Sequence, residues 1–97
     1  MSDALTIANS ALNVQSLTLN VVADNVANAE TPGYQEKQVE LQPMNPGVSV
    51  ASVAQTTQSV DLVDQTVSLI NARAAYNAAL NVVSADKHMT GALLGHV

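Results

Sequence analysis

The chain has 97 residues, of which 47% are apolar but only 2% aromatic, and it lacks Cys, Trp and Phe. That length gives room for one domain, and without Cys there is neither a disulfide nor a thiolate zinc site. Eight acids against three bases (Lys37, Arg73 and Lys87) leave a net charge of −5, which argues against nucleic acid and anionic lipid surfaces, since both require clustered Lys and Arg.

The first predicted element is a helix over 3–29. Leu5, Leu12, Leu19 and Val26 recur every seven residues, and Ala8, Val22 and Ala29 follow three of them at the next coiled-coil position, with Gln15 breaking that second series. This is a helical packing seam, roughly 40 Å long at 1.5 Å per residue. Ser2 or Asp3 can cap its start. The stretch from Ala4 to Ala23 is uncharged, yet it contains Asn9, Ser10, Asn13, Gln15, Ser16, Thr18 and Asn20. So many amides and hydroxyls do not fit a membrane span. A first segment with Asp3 and no Lys or Arg does not fit a cleavable signal peptide either.

Pro32-Gly33 stops this helix. A β-hairpin region over 34–58 follows: Val39 and Leu41 alternate with Gln38, Glu40 and Gln42, Val48 and Val50 flank Ser49, and Pro43 to Gly47 holds the turn. Two strands are marginal alone, so the hairpin is expected to lean on a helix or a neighbour. Glu36, Gln38 and Glu40 share one strand face, and on a solvated hairpin such residues keep that face wet.

The third element is a helix over 60–94. Leu62, Leu69, Tyr76 and Val83 again lie seven apart, while Val63, Val67, Ile70 and Ala74 widen the stripe on an adjoining face. Ser59 or Asp61 can cap its start, Asp64 suits the positive end of the helix dipole, and Lys87 and His88 suit the other end. Gly91 and Gly95 are expected to fray it. The fold class is therefore mainly α: two long helices paired as an antiparallel coiled-coil hairpin and joined by a short β-hairpin, all within one domain spanning 1–97. The helix-packing residues are Leu5, Leu12, Leu19, Val26, Leu62, Val63, Leu69, Ile70, Tyr76, Leu80 and Val83, and Leu69→Asp is expected to abolish the pairing. The C-terminal stripe is wider than one partner helix can cover, so other copies or related chains are expected to supply further helices.

No catalytic set, phosphate loop or metal motif is present; His88 and His96 match no metal spacing. The chain is read as a non-enzyme with no cofactor and no metal. Asn25 and Asn28 suit capping of the first helix's end, because Asn bonds readily to nearby backbone; the competing role is bridging neighbouring subunits. Tyr34 is expected to cover the end of the helix pair, Tyr76 to pack on the seam, and Arg73 to be solvated.

The turn Asn25-Val26-Ala27-Asn28-Ala29-Glu30-Thr31-Pro32-Gly33-Tyr34 resembles the N-terminal signature of the bacterial flagellar rod and hook axial family. The last helix is similar to that family's closing segment at Val60-Asp61-Leu62-Val63, Leu69-Ile70, Ala72, Ala75-Tyr76, Val83 and Met89. Pro46-Gly47-Val48-Ser49-Val50 resembles a segment of its short proximal-rod branch. The resemblance implies a structural subunit of the basal-body rod that self-assembles through its terminal helices. It also implies partners among copies of itself or related axial proteins, contact with the flagellar export apparatus, and export from the cytoplasm to the periplasmic rod without a cleaved signal. In it, Asn25, Asn28, Thr31, Pro32, Gly33 and Tyr34 form the signature turn. Only Ala51 to Ser59 separate the second strand run from the last helix, where rod members carry an additional stretch. A divergent paralogue that forms a small closed oligomer, or binds an export or assembly partner, is the alternative.

Overall fold

The computed structural model describes residues 3–95, in the order α1 (Asp3–Ala27), β1 (Lys37–Pro43), β2 (Val48–Gln55) and α2 (Leu62–Gly95). The chain is mainly helical, with a two-stranded antiparallel hairpin between the helices. Its extents are 62 × 23 × 14 Å and its radius of gyration is 16.9 Å, against about 12–13 Å for a compact chain of this length. The molecule is a thin slab.

Local chemistry sets the boundaries. Asp3 opens α1 with an acid in its first turn, where the helix dipole favours it; Ser2 lies outside the described residues. α1 ends at Ala27, two residues earlier than the apolar spacing predicts, because Asn28 intervenes. Its backbone N–H (3.1 Å) and side-chain Nδ2 (2.9 Å) both donate to the Asp24 carbonyl. The following turn closes through Thr31 N–H to Asn28 O and Tyr34 N–H to Thr31 O, with Gly33 at φ 78°. Asp61 caps α2: its Oδ1 accepts from the N–H groups of Val63 (2.9 Å) and Asp64 (3.3 Å). α2 does not stop at Gly91 but continues to Gly95. An exposed glycine weakens a helix by about 1 kcal/mol without ending it.

β1 and β2 pair from Lys37↔Gln55 to Pro43↔Val48, with a bulge that leaves Ala51 without a partner between Glu40↔Ser52 and Leu41↔Val50. The hairpin lies along α1, fixed at two points. At its tip Val48 N–H donates to Ser10 Oγ (3.3 Å), which itself donates to Ile7 O (2.7 Å). Gly47, at φ 107°, sits so close that a Cβ there would stand 2.5 Å from Ser10 Oγ. At its base the Asn25 side chain holds Lys37. Fifteen helical residues from Ser10 to Asn25 span about 22 Å, and a seven-residue strand spans about 20–23 Å. That match in length lets one helix hold both ends of the hairpin.

The apolar core is small: Ala8, Val14, Val21 and Val22 from α1, with Ala72 and Ala79 from α2. α1 is the element against which α2 packs. The leucine series is not the most buried line in either helix. Buried Ala8 and Val22 in α1, and buried Gln65, Ala72 and Ala79 in α2, each lie three residues after the leucine positions. Small side chains let the helix axes approach closely, so the larger residues flank the contact instead of filling it. Leu5, Leu12, Leu19, Tyr76 and Val83 are half-buried on that flank.

Candidate functional site

Two features stand out: a buried polar junction where three elements meet, and a set of large apolar residues left exposed around α2.

Asn25, in the last turns of α1, is 1% exposed. Its Oδ1 accepts from Lys37 N–H (2.9 Å), and its Nδ2 donates to Lys37 O (2.9 Å). The side-chain amide thus pairs with the Lys37 peptide as a neighbouring strand would. Nδ2 also donates to Gln65 Oε1 (3.1 Å) on α2, and Oδ1 accepts from the Tyr34 hydroxyl (3.0 Å). Gln65, also buried, passes the chain on by donating from Nε2 to Glu36 Oε1 (2.5 Å). Among the described residues no buried side-chain nitrogen or oxygen lacks a partner. A fully satisfied network of this kind fixes one arrangement of the elements it joins.

Two expectations change here. Asn25 does not cap its own helix; that role falls to Asn28, and Asn25 ties α1 to β1 and α2. Glu36 is not on a wet face. It is buried, and its backbone bonds to both sides of the chain entering α2: its N–H donates to Gln58 O (2.8 Å), and its O accepts from Thr56 N–H (2.8 Å) and Thr56 Oγ1 (2.9 Å). Glu40 is exposed, facing Ser52 across the hairpin.

Beside the junction, Asp24 Oδ2 accepts from Lys37 Nζ (2.9 Å) and lies 3.2 Å from the Tyr34 hydroxyl, whose single proton it shares with Asn25 Oδ1. Lys37 and then Tyr34 hold the Asp24 carboxyl below its ordinary value. Lys37 is raised by the same carboxylate. Partial burial, and then Asp24, raise the Tyr34 phenol. Asn28, Thr31 and Tyr34 therefore belong to one continuous hydrogen-bonded turn, while Pro32 and Gly33 bend its exposed tip.

The second feature comprises the larger apolar residues. Leu62, Val63, Val67, Leu69, Ile70, Leu80, Val82, Met89 and Leu93 on α2 are exposed, as is Val26 on α1. Ile70 is 62% and Val63 71% exposed. Leu69, beside buried Ala72, is 38% exposed, so part of its side chain reaches solvent while most of it is covered. A cleft of about 450 Å³ opens between α1, β1 and the start of α2, walled by Val14, Val21, Val22, Val39 and Leu41 and rimmed by Gln15, Thr18, Asp64 and Ser68.

Among the described residues no three His, Cys, Asp or Glu come together as a metal site, and His96 lies outside them. No described helix is long and apolar enough to cross a membrane. Gln65 and Glu36 were missing from the sequence-derived sites, although Gln65 falls on the heptad series three residues after Leu62, where a polar residue is a signal. A comparison with curated proteins gives no match. Residues 5–35, which comprise nearly all of α1 and the turn through Tyr34, match the family model for the flagella basal body rod protein.

Proposed function

We propose that the chain is a structural, non-enzymatic subunit of the bacterial flagellar basal-body rod, assembling through its terminal helices. The observation that carries this reading is the number of large apolar residues left exposed on α2 by a chain whose α1 and turn match the rod family model. Large apolar side chains left exposed together on one element point to a contact surface. The helices form an antiparallel coiled-coil hairpin within a single axial core spanning 1–97. Its support is the bond between Asn25, near the end of α1, and Gln65, near the start of α2, together with the buried series on both helices. Leu62, Val63, Leu69, Ile70 and Leu80 then face neighbouring axial subunits, copies or relatives, while Leu5, Leu12, Leu19, Tyr76 and Val83 flank the internal pair. Export through the flagellar apparatus to the periplasmic rod follows from the same reading.

Deleting the gene and complementing with Val63→Asp/Ile70→Asp tests it. Rods and motility are expected to be lost in both strains, with the variant's circular dichroism unchanged. Normal rods and swimming after the deletion would sink the proposal. The short 56–61 link between β2 and α2 favours a second reading, a closed oligomer of fixed size. Sedimentation separates the two, since a rod subunit grows without limit and a closed oligomer stops.

A further inference from the structure

Along α2 the cover runs out before the helix does. Among the described residues Asp86 is the last that is partly covered; residues 87–91 and Leu93 are exposed, although the helix continues to Gly95. This projecting end is about 12 Å long. Met89 and Leu93, each 66% exposed, stand four residues apart and so share one side of it. The end also carries Lys87 and His88 and no acid.

The cleft between α1, β1 and the start of α2 has the complementary character. It runs along α1 from Val14 to Asn25, about 16 Å, beneath a wall that also includes Val39 and Leu41. The charged residues that line it are Glu36, Lys37 and Asp64, and Lys37 is already held by Asp24, so the surround is acidic. Its polar floor is satisfied from within. Asn25, Gln65 and Glu36 bond in series, and among the described residues no buried side-chain nitrogen or oxygen lacks a partner. What the cleft leaves unmet is its apolar wall.

No chain can serve its own cleft. Ser68, on the rim, and Met89 lie on one continuous helix, about 32 Å apart along its axis. A projection and a cleft held that far apart meet only between copies. Such a head-to-tail contact leaves one cleft and one end unused in every pair, so it extends in one direction, as the assembly proposed above requires.

We infer that the projecting end of α2, residues 87–95, docks into the cleft of a second copy and lays Met89 and Leu93 against its valines. The inference rests on the proposed assembly and assigns one of its contacts. The lengths agree to within one helical turn, and a basic end enters an acidic surround.

Because the chain has no Cys, a head-to-tail contact has a clear signature: two different cysteines cross-link in a mixture, and neither does alone. Leu93→Cys is mixed with Gln15→Cys or Ser68→Cys on the rim. The control mixture uses Asn20→Cys, exposed on α1 away from the cleft. Mild oxidation is followed on non-reducing gels. Dimer in the rim mixtures is expected at least tenfold above either variant alone and above the control mixture. Met89→Glu added to Leu93→Cys is expected to suppress that dimer at least fivefold, since it brings a carboxylate to an apolar wall. The monomer's thermal melt should stay unchanged, because Met89 is exposed. Equal yields in rim and control mixtures, Leu93→Cys dimers forming alone, or a yield indifferent to Met89→Glu would overturn the inference. Any of these beside intact rods in the cell leaves the rod reading standing, and that reading is decided separately by the deletion strain.

Discussion

Replacing Asn25 should unfasten three elements at once. In Asn25→Ala the Lys37 peptide, the Gln65 amide oxygen and the Tyr34 hydroxyl all lose a partner. A buried group left unsatisfied costs about 1–3 kcal/mol. Only the bond to Gln65 is fully buried, and water can reach part of the rest, so the expected total is about 2–4 kcal/mol. A chain of this size has about 5–15 kcal/mol in all. At about 4–8 °C per kcal/mol, the melting temperature should fall by roughly 10–30 °C. Asn25→Asp isolates the hydrogen bonds from the packing, because the shape is kept while the Nδ2 donor becomes an acceptor aimed at two other acceptors. At neutral pH it should be at least as damaging as Asn25→Ala. The new carboxyl is disfavoured when charged, so its folded pKa lies above the unfolded value of about 3.9. Its stability is therefore retained below that value and lost as pH rises, and the gap to wild type should narrow towards pH 4. Urea titrations at pH 7 and pH 4 would read both effects. An Asn25→Asp midpoint equal to wild type at pH 7, or a gap that does not change with pH, would refute the role assigned to the network.

Three further outcomes can be measured. Gly47→Ala should lower stability by about 1–3 kcal/mol, because the new Cβ meets Ser10 at 2.5 Å and φ is 107°. Gly33→Ala, with φ 78° and open space around it, should lose less, and paired thermal melts compare them. Ala72→Leu should disrupt the α1–α2 contact by about 1–3 kcal/mol of overpacking, whereas Val63→Asp, at a site 71% exposed, should change the unassembled chain by less than about 1 kcal/mol; chemical denaturation at low protein concentration distinguishes them. The Asp24–Lys37–Tyr34 cluster should give a two-sided pH profile that Asp24→Asn flattens. Asp24 contributes above its unfolded value near 3.8 and loses that contribution as pH falls through its lowered folded value. Lys37 and Tyr34 contribute below 10.5 and 10.0 and lose their contribution as pH rises above those values.

The sequence announces its helices, its hairpin and the turn between them, because each is written in local chemistry. Pro43 to Gly47 marks a turn wherever it is met, Asp61 caps the peptide groups next to it, and a seven-residue period needs no tertiary information. The heptad series does not say which of its lines goes inside. Leucine is the natural choice by hydrophobicity alone, yet on α2 the buried apolar residues are Ala72 and Ala79, since burial of a seam depends on how closely the helices approach and not on the apolarity of one residue. The junction was legible only in part. Asn25 and Tyr34 stand out in the signature turn, but the pairing of Asn25 with Gln65 joins residues forty positions apart, and no local pattern records it. Glu36 escapes a local reading for the same reason: strand alternation places it on the outer face, while Gln65 of α2 meets its carboxylate from 29 positions away.

The slab shape links folding to company. With six apolar side chains buried among the described residues and nine large ones exposed on α2, the isolated chain keeps much of its stabilising surface in water. On the reading proposed above, a neighbour that covers those residues binds the folded form and not the unfolded one, so stability would rise with concentration by mass action. Melting temperature would then be a property of the assembled population, and a dilute chain would be easier to unfold than the same chain among its neighbours.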